Sequence, residues 1–143
     1  MRRRRSGTYR EIGLLILRIG LGIMMMLHGY PKLFGGPEMW VQLGEVTQTF
    51  GIDFAPIFFG FIASITEFFG GLFLALGLFF KPTLGLLAVV MAVAAFSHIS
   101  AGDGFTEFSH SIELGIVFIS LLFIGPGEIS LDQKLNDRRR RRY

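Results

Sequence analysis

Arg18, His28, Lys32, Glu67, His98, His110 and Glu113 each place a charged or proton-exchanging group within or beside long apolar runs. A charge in hydrocarbon costs several kcal/mol unless it is paired, so each asks for a partner or a function. Carboxylates facing a guanidinium or ammonium form ion pairs. Imidazoles, whose proton equilibrium lies nearest neutrality, carry protons and hydrogen-bond ring carbonyls. The sequence has no cysteine, which excludes disulfides, thiol catalysis, cysteine-held iron-sulfur clusters and thioether-attached haem. Any redox role therefore needs a borrowed cofactor or a quinone.

The elements that must position these groups are membrane helices. Hydrophobic residues make up 51% of the 143-residue chain and the mean hydropathy is +0.54, well above a soluble domain of this size. The expected fold class is an all-α membrane protein, a four-span bundle over 12–127 with spans near residues 12–30, 56–80, 83–100 and 109–124. Gly29, Tyr30 and Pro31 are expected to end the first span, because proline lacks a backbone donor. Between the first two spans, Met39, Trp40, Leu43, Val46 and Phe50 recur at helical spacing among Glu38, Glu45 and Asp53, which predicts a short amphipathic outer helix lying as a lid with Trp40 as anchor. Ser130 and Gln133 resemble a capping box that starts a short terminal helix.

Charge placement orients the bundle. The basic N-terminus (1–11), the connection holding Lys81, and the basic tail (128–143) together carry twelve Lys and Arg residues against Lys32 alone on the other side. The positive-inside rule then puts both termini in the cytoplasm of a multi-pass protein of the cytoplasmic (inner) membrane. The arginine runs at 2–5 and 138–142 read as attraction to anionic lipid rather than to nucleic acid. The first apolar run lacks a small-x-small cleavage site, so it reads as an uncleaved span.

On a helical wheel, Arg18 shares a face with Gly22, Met25, Gly29 and Lys32, and Glu67 with Gly60, Ser64, Gly70 and Gly71. Both stripes are small-residue faces of the kind at which membrane helices approach closely. At a rise of ~1.5 Å per residue, Arg18 lies about 18 Å and Glu67 about 16 Å below the outer ends of their spans. An Arg18–Glu67 ion pair is therefore expected, serving either packing and register or chemistry. His28, His98, His110 and Glu113 form a second tier nearer the outer surface, with Lys32 and His110 at the mouth. The two tiers together would make a polar track, with Arg18, His28, Glu67, His98 and Glu113 as the buried pocket. Three histidines and a carboxylate could hold a metal, or two histidines a haem, but no ligand spacing such as H-E-x-x-H supports either. The run Met24, Met25, Met26 reads as packing rather than a copper site.

Leu17-Arg18 with the glycines after it, Leu27-His28-Gly29-Tyr30-Pro31-Lys32-Leu33-Phe34-Gly35, Glu67-Phe68-Phe69-Gly70-Gly71-Leu72, Glu113-Leu114 and Gly125-Pro126-Gly127-Glu128-Ile129-Ser130-Leu131-Asp132 together resemble the DoxX family of small four-helix membrane proteins. The resemblance covers about residues 12 to 135. It implies a compact bundle linked unevenly to membrane redox work, since some relatives form the membrane part of thiosulfate:quinone oxidoreductase and others accompany oxidative-stress systems. Two functions follow as expectations. In one, the chain binds a quinone or similar small molecule and works with a soluble or membrane redox partner that supplies electrons. In the other, it is a non-enzymatic scaffold, assembly factor or small-solute conduit. An oligomer is compatible with both.

Overall fold

A computed structural model of the protein describes residues 2–140, with side chains described from residue 7 onward. The side chains of the arginines at 2–5 and all of those at 141 and 142 lie outside the described residues. The elements run α1 (Arg2–Phe34), α2 (Gly36–Gly44), a 3₁₀ turn (Glu45–Phe50), α3 (Pro56–Leu76), α4 (Phe80–Ala101), α5 (Phe105–Ile124) and α6 (Leu131–Arg140). Four of them, α1, α3, α4 and α5, are long and apolar enough to cross a membrane. The protein is an all-α membrane protein.

Local sequence explains where the helices stop. Gly77 takes φ +64° and its N–H bonds the Leu74 carbonyl at 3.1 Å, closing α3 as a left-handed C-terminal glycine does. Gly102, at φ +77°, closes α4 in the same way. Two prolines behave differently from the sequence expectation. Pro31 does not end α1, which continues to Phe34, because only the last turn follows it and one backbone bond is lost. Pro82 lies inside α4, in its first turn, where no N–H needs an acceptor; the chain reverses at residues 77–79 instead. Ser130 Oγ accepts the Gln133 N–H at 3.3 Å and so starts α6.

Packing runs α1 on α3, α3 on α4 and α4 on α5, while α1 and α5 touch little. Lipid is as apolar as leucine, so these contacts rest on close van der Waals fit rather than on water expulsion. The α1–α3 seam shows it. A Cβ added to Gly22 would lie 2.5 Å from the Gly71 carbonyl oxygen, and one added to Gly29 would lie 2.6 Å from the Phe68 nitrogen. At mid-bundle, Met25, Leu74, Leu84, Leu87, Phe118 and Leu121 form a dry apolar layer, each at most 1% exposed.

Because Gly29 meets Phe68, the helix ends are not level: α3 runs about 10 Å past the end of α1 at ~1.5 Å per residue. That overhang is where α2 packs. Its Trp40 ring lies 4.6 Å from Phe61, and Trp40 Nε1 donates to the Lys32 carbonyl at 3.0 Å. The expected amphipathic helix is therefore present, but it is fastened along the flank of α3 rather than laid as a lid across the helix ends.

Candidate functional site

At the Lys32 end of the bundle, all four spanning helices contribute side chains to one cavity of about 190 Å³. α1 supplies Met25, His28 and Lys32; α3 supplies Glu67; α4 supplies Met91, Ala94 and His98; α5 supplies Glu107, His110, Ser111 and Leu114. The cavity floor is apolar where Met25 and Met91 meet the dry layer. No residue of α2 reaches it.

Three polar arrangements define its chemistry. Lys32 Nζ donates to both carboxylate oxygens of Glu67 at 2.7 Å. Glu67 is 3% exposed, so its charge is held in a nearly water-free position by one bidentate partner. His98 Nδ1 lies 2.7 Å from Asp103 Oδ2, a contact that orients the ring and leaves Nε2 free to exchange a proton. The His28 and His110 rings stand 5.6 Å apart across the loosely packed α1–α5 side of the bundle, and both residues are exposed.

Arg18 is elsewhere. Lys32 lies fourteen residues beyond it, about 21 Å along α1, and the dry layer lies between. Only 2% exposed, Arg18 donates to the Ala75 carbonyl at 3.2 Å, to the Ile129 carbonyl at 3.0 Å and to the Pro126 carbonyl, while Nε has no partner among the described residues. These are helix-end and loop carbonyls that have no intrahelical donors. Around them, Glu11 Oε2 accepts the Glu128 N–H at 2.7 Å, and Asp132 accepts the Phe79 and Phe80 N–H groups at 3.0 and 2.9 Å. Arg18 thus clamps the 125–130 segment and the end of α3 onto α1.

The expected Arg18–Glu67 pair is therefore corrected to Lys32–Glu67. The unlevel helix ends explain the error, since depth measured from each end placed Arg18 too near Glu67. No continuous polar track joins the two groups. Glu113 also leaves the expected pocket: it is exposed on the outer face of α5 and does not line the cavity. The structure brings His28, Lys32, Glu67, His98 and His110 together and separates Arg18 and Glu113 from them.

Several residues escaped sequence reasoning. Glu107, Ser111 and Leu114 share one helical face with the expected His110 at steps of three and four, a period legible in the sequence. Asp103 follows His98 by five residues inside a Gly-Asp-Gly turn, where only the fold brings it back to the ring. Among the described residues, no group of three or more His, Asp or Glu side chains is arranged to hold a metal ion.

Comparison with known proteins agrees with this architecture. The profile of the DoxX family matches residues 13–99. An uncharacterized protein of Haemophilus influenzae is 32% identical over 132 residues, covering 88% of this chain and 92% of its own. The inner membrane protein YphA of Escherichia coli is 24% identical over 136 residues, covering 90% and 94%. No solved structure matches the chain.

Proposed function

This chain belongs to the DoxX family, and on that premise we propose that it is an inner-membrane component that binds the ring of a quinone in the cavity at the Lys32 end and exchanges protons with it. One observation carries the reading: a buried ammonium-carboxylate pair and all three histidines of the chain converge on a single apolar-floored cavity.

Size and chemistry fit. A volume of about 190 Å³ is below the ~300 Å³ of pockets that enclose a whole drug-sized molecule, so the cavity takes a single ring and leaves an isoprenoid tail in lipid. The weak α1–α5 contact offers that tail a lateral way in. Lys32 spends two N–H bonds on Glu67 and keeps a third. His98, held by Asp103, and the His28–His110 pair supply further donors and acceptors for ring oxygens. Reducing a quinone takes two electrons and two protons; this chain supplies the binding site and proton-exchanging side chains, and a redox partner supplies the electrons. The excess of Lys and Arg at the two ends supports reading both termini as cytoplasmic, the cavity as facing the opposite side, and the basic ends as partners of anionic lipid heads.

The scaffold reading draws on Arg18, whose hydrogen bonds all go to backbone carbonyls that it holds in place. The conduit reading is disfavoured by the dry layer between the polar clusters. The test is extraction of the protein in native-lipid particles followed by mass analysis of bound lipid-soluble molecules. Quinone in excess of its share of the surrounding lipid is expected, and it should fall to background in a Lys32→Met/Glu67→Leu double variant. Equal quinone in both preparations would remove the support.

A further inference from the structure

α5 is the least buried of the four spanning helices, and α4 is the span it packs against closely. Its outward side carries Thr106, Ser109, Glu113, Ile116, Ser120 and Phe123, separated by alternating steps of three and four residues. Ser109 is half-buried and the other five are exposed, Phe123 to 87%. Residues at these steps share one side of the helix, so the stripe is a single continuous exposed face of α5 along which a second helix could lie.

The polar members add a second, independent observation. Thr106, Glu113 and Ser120 recur every seven residues. Glu113 lies about 12 Å inside α5 from its start at ~1.5 Å per residue, within the spanning segment. Among the described residues it has no hydrogen-bond or ion-pair partner. A carboxyl group left against hydrocarbon at that depth is costly, so something with hydrogen-bonding capacity must meet it. The chain's exposed cations, such as Arg10 and Lys81, lie at the opposite end of the bundle and do not reach it.

We propose that the Glu113 stripe of α5 is the docking surface for a second copy of this chain, with the two α5 helices parallel and the two Glu113 carboxyl groups facing each other. Membrane insertion fixes every copy in the same orientation, so a two-fold axis must run along the membrane normal. Such an axis brings each residue of the stripe opposite its own equivalent at the same depth. A second copy is thus the one partner that must present a carboxyl group where Glu113 needs one. A carboxyl is self-complementary once one of the pair carries a proton, because it then both donates and accepts. Ser120 Oγ donates to its own Ile116 carbonyl at 2.8 Å and keeps lone pairs for the hydroxyl or backbone of the second copy. The surface is separate from the quinone cavity, and its test does not depend on that reading.

The absence of cysteine makes the experiment direct. Ile116→Cys and Phe123→Cys lie on the stripe, whereas Val89→Cys lies on an exposed face of α4. Oxidised in native membranes, the first two are expected to give a disulfide-linked dimer of twice the chain mass at least tenfold more readily than Val89→Cys. In lipid-dilution measurements by single-molecule photobleaching, Glu113→Gln should hold the dimer and Glu113→Leu should shift the equilibrium toward monomer by about tenfold, the size of one interhelical hydrogen bond. Equal crosslinking at all three positions, crosslinks to a different protein, or a Glu113→Leu variant as dimeric as the parent would each overturn the proposal.

Discussion

Lys32 and Glu67 form the buried ion pair of this protein: the lysine Nζ stands 2.7 Å from both carboxylate oxygens, joining the end of α1 to the middle of α3. Because α3 overhangs α1, a lysine near a helix end meets a carboxylate that lies eleven residues inside the neighbouring helix. The lysine stem spans part of that offset and keeps its ammonium beside the cavity, one-third exposed, while Glu67 is sealed.

Breaking this pair leaves a charge without compensation. Lys32→Met is expected to destabilise the fold by about 3 kcal/mol, whereas the Lys32→Met/Glu67→Leu double variant should recover most of it, because an apolar pair of similar volume removes both desolvation costs. Thermal unfolding in detergent measures the difference. Exchanging the two residues should also recover part of the loss. Exchanging Arg18 with Glu67 should not.

Arg18 should behave as a clamp for the C-terminal segment. Arg18→Met removes the donors to the Ala75, Pro126 and Ile129 carbonyls, at a cost of about 3 kcal/mol for buried acceptors left unpaired. The loss should be local. Trypsin is expected to cut at Lys134 and the following arginines several-fold faster than in the parent, with the cavity-end residues unaffected. Arg18→Lys should recover only part of the protection, since an ammonium is a point donor and cannot match the planar fork.

Two glycines two residues apart separate packing from mere flexibility. Gly22 faces the Gly71 carbonyl and Ala75, whereas an added Cβ at Gly20 meets nothing within 4 Å. Gly22→Leu should force α1 off α3 and lower the yield of folded protein, at a cost of about 3 kcal/mol or more. Gly20→Leu should be nearly neutral. Fluorescence size-exclusion profiles of the two variants give the comparison.

His98 and Asp103 should act together on ligand affinity. Removing the ring with His98→Ala is expected to weaken quinone binding about tenfold, the upper end of the net value of one hydrogen bond. Asp103→Asn should weaken it by less and should add little in the double variant, because both changes act through one ring. A titration of all three variants in lipid nanodiscs checks the coupling.

Much of the architecture was legible in the sequence. Four apolar runs, the turn at Gly102 and the amphipathic pattern around Trp40 all report on local backbone and burial, which nearest neighbours along the chain determine; the stop at Gly77 was missed, because the apolar run continues through it to Phe80. Ser130 as the start of α6 was legible for the same reason. The partner of Glu67 was not, because it depends on how far one helix slides along another, and a slide of three turns leaves every helical wheel unchanged. Glu113 was assigned inward on its charge and its depth in the fourth span. Its wheel position, about one-third of a turn from the cavity-lining Ser111 and Leu114 face, pointed outward. The carbonyls that hold Arg18 carry no sequence signature at all, since any residue type supplies one.

The central claim is that the Lys32–Glu67 cavity binds a quinone ring, and Trp40 offers the most direct measurement. It is the single tryptophan of the chain and its indole N–H is bonded to the Lys32 carbonyl. Titration of the protein in nanodiscs with a short-tailed quinone should quench Trp40 fluorescence saturably, and the Lys32→Met/Glu67→Leu variant should lose the saturable phase while remaining folded. Quenching that rises linearly with quinone in the membrane, identical in parent and double variant, would contradict the claim.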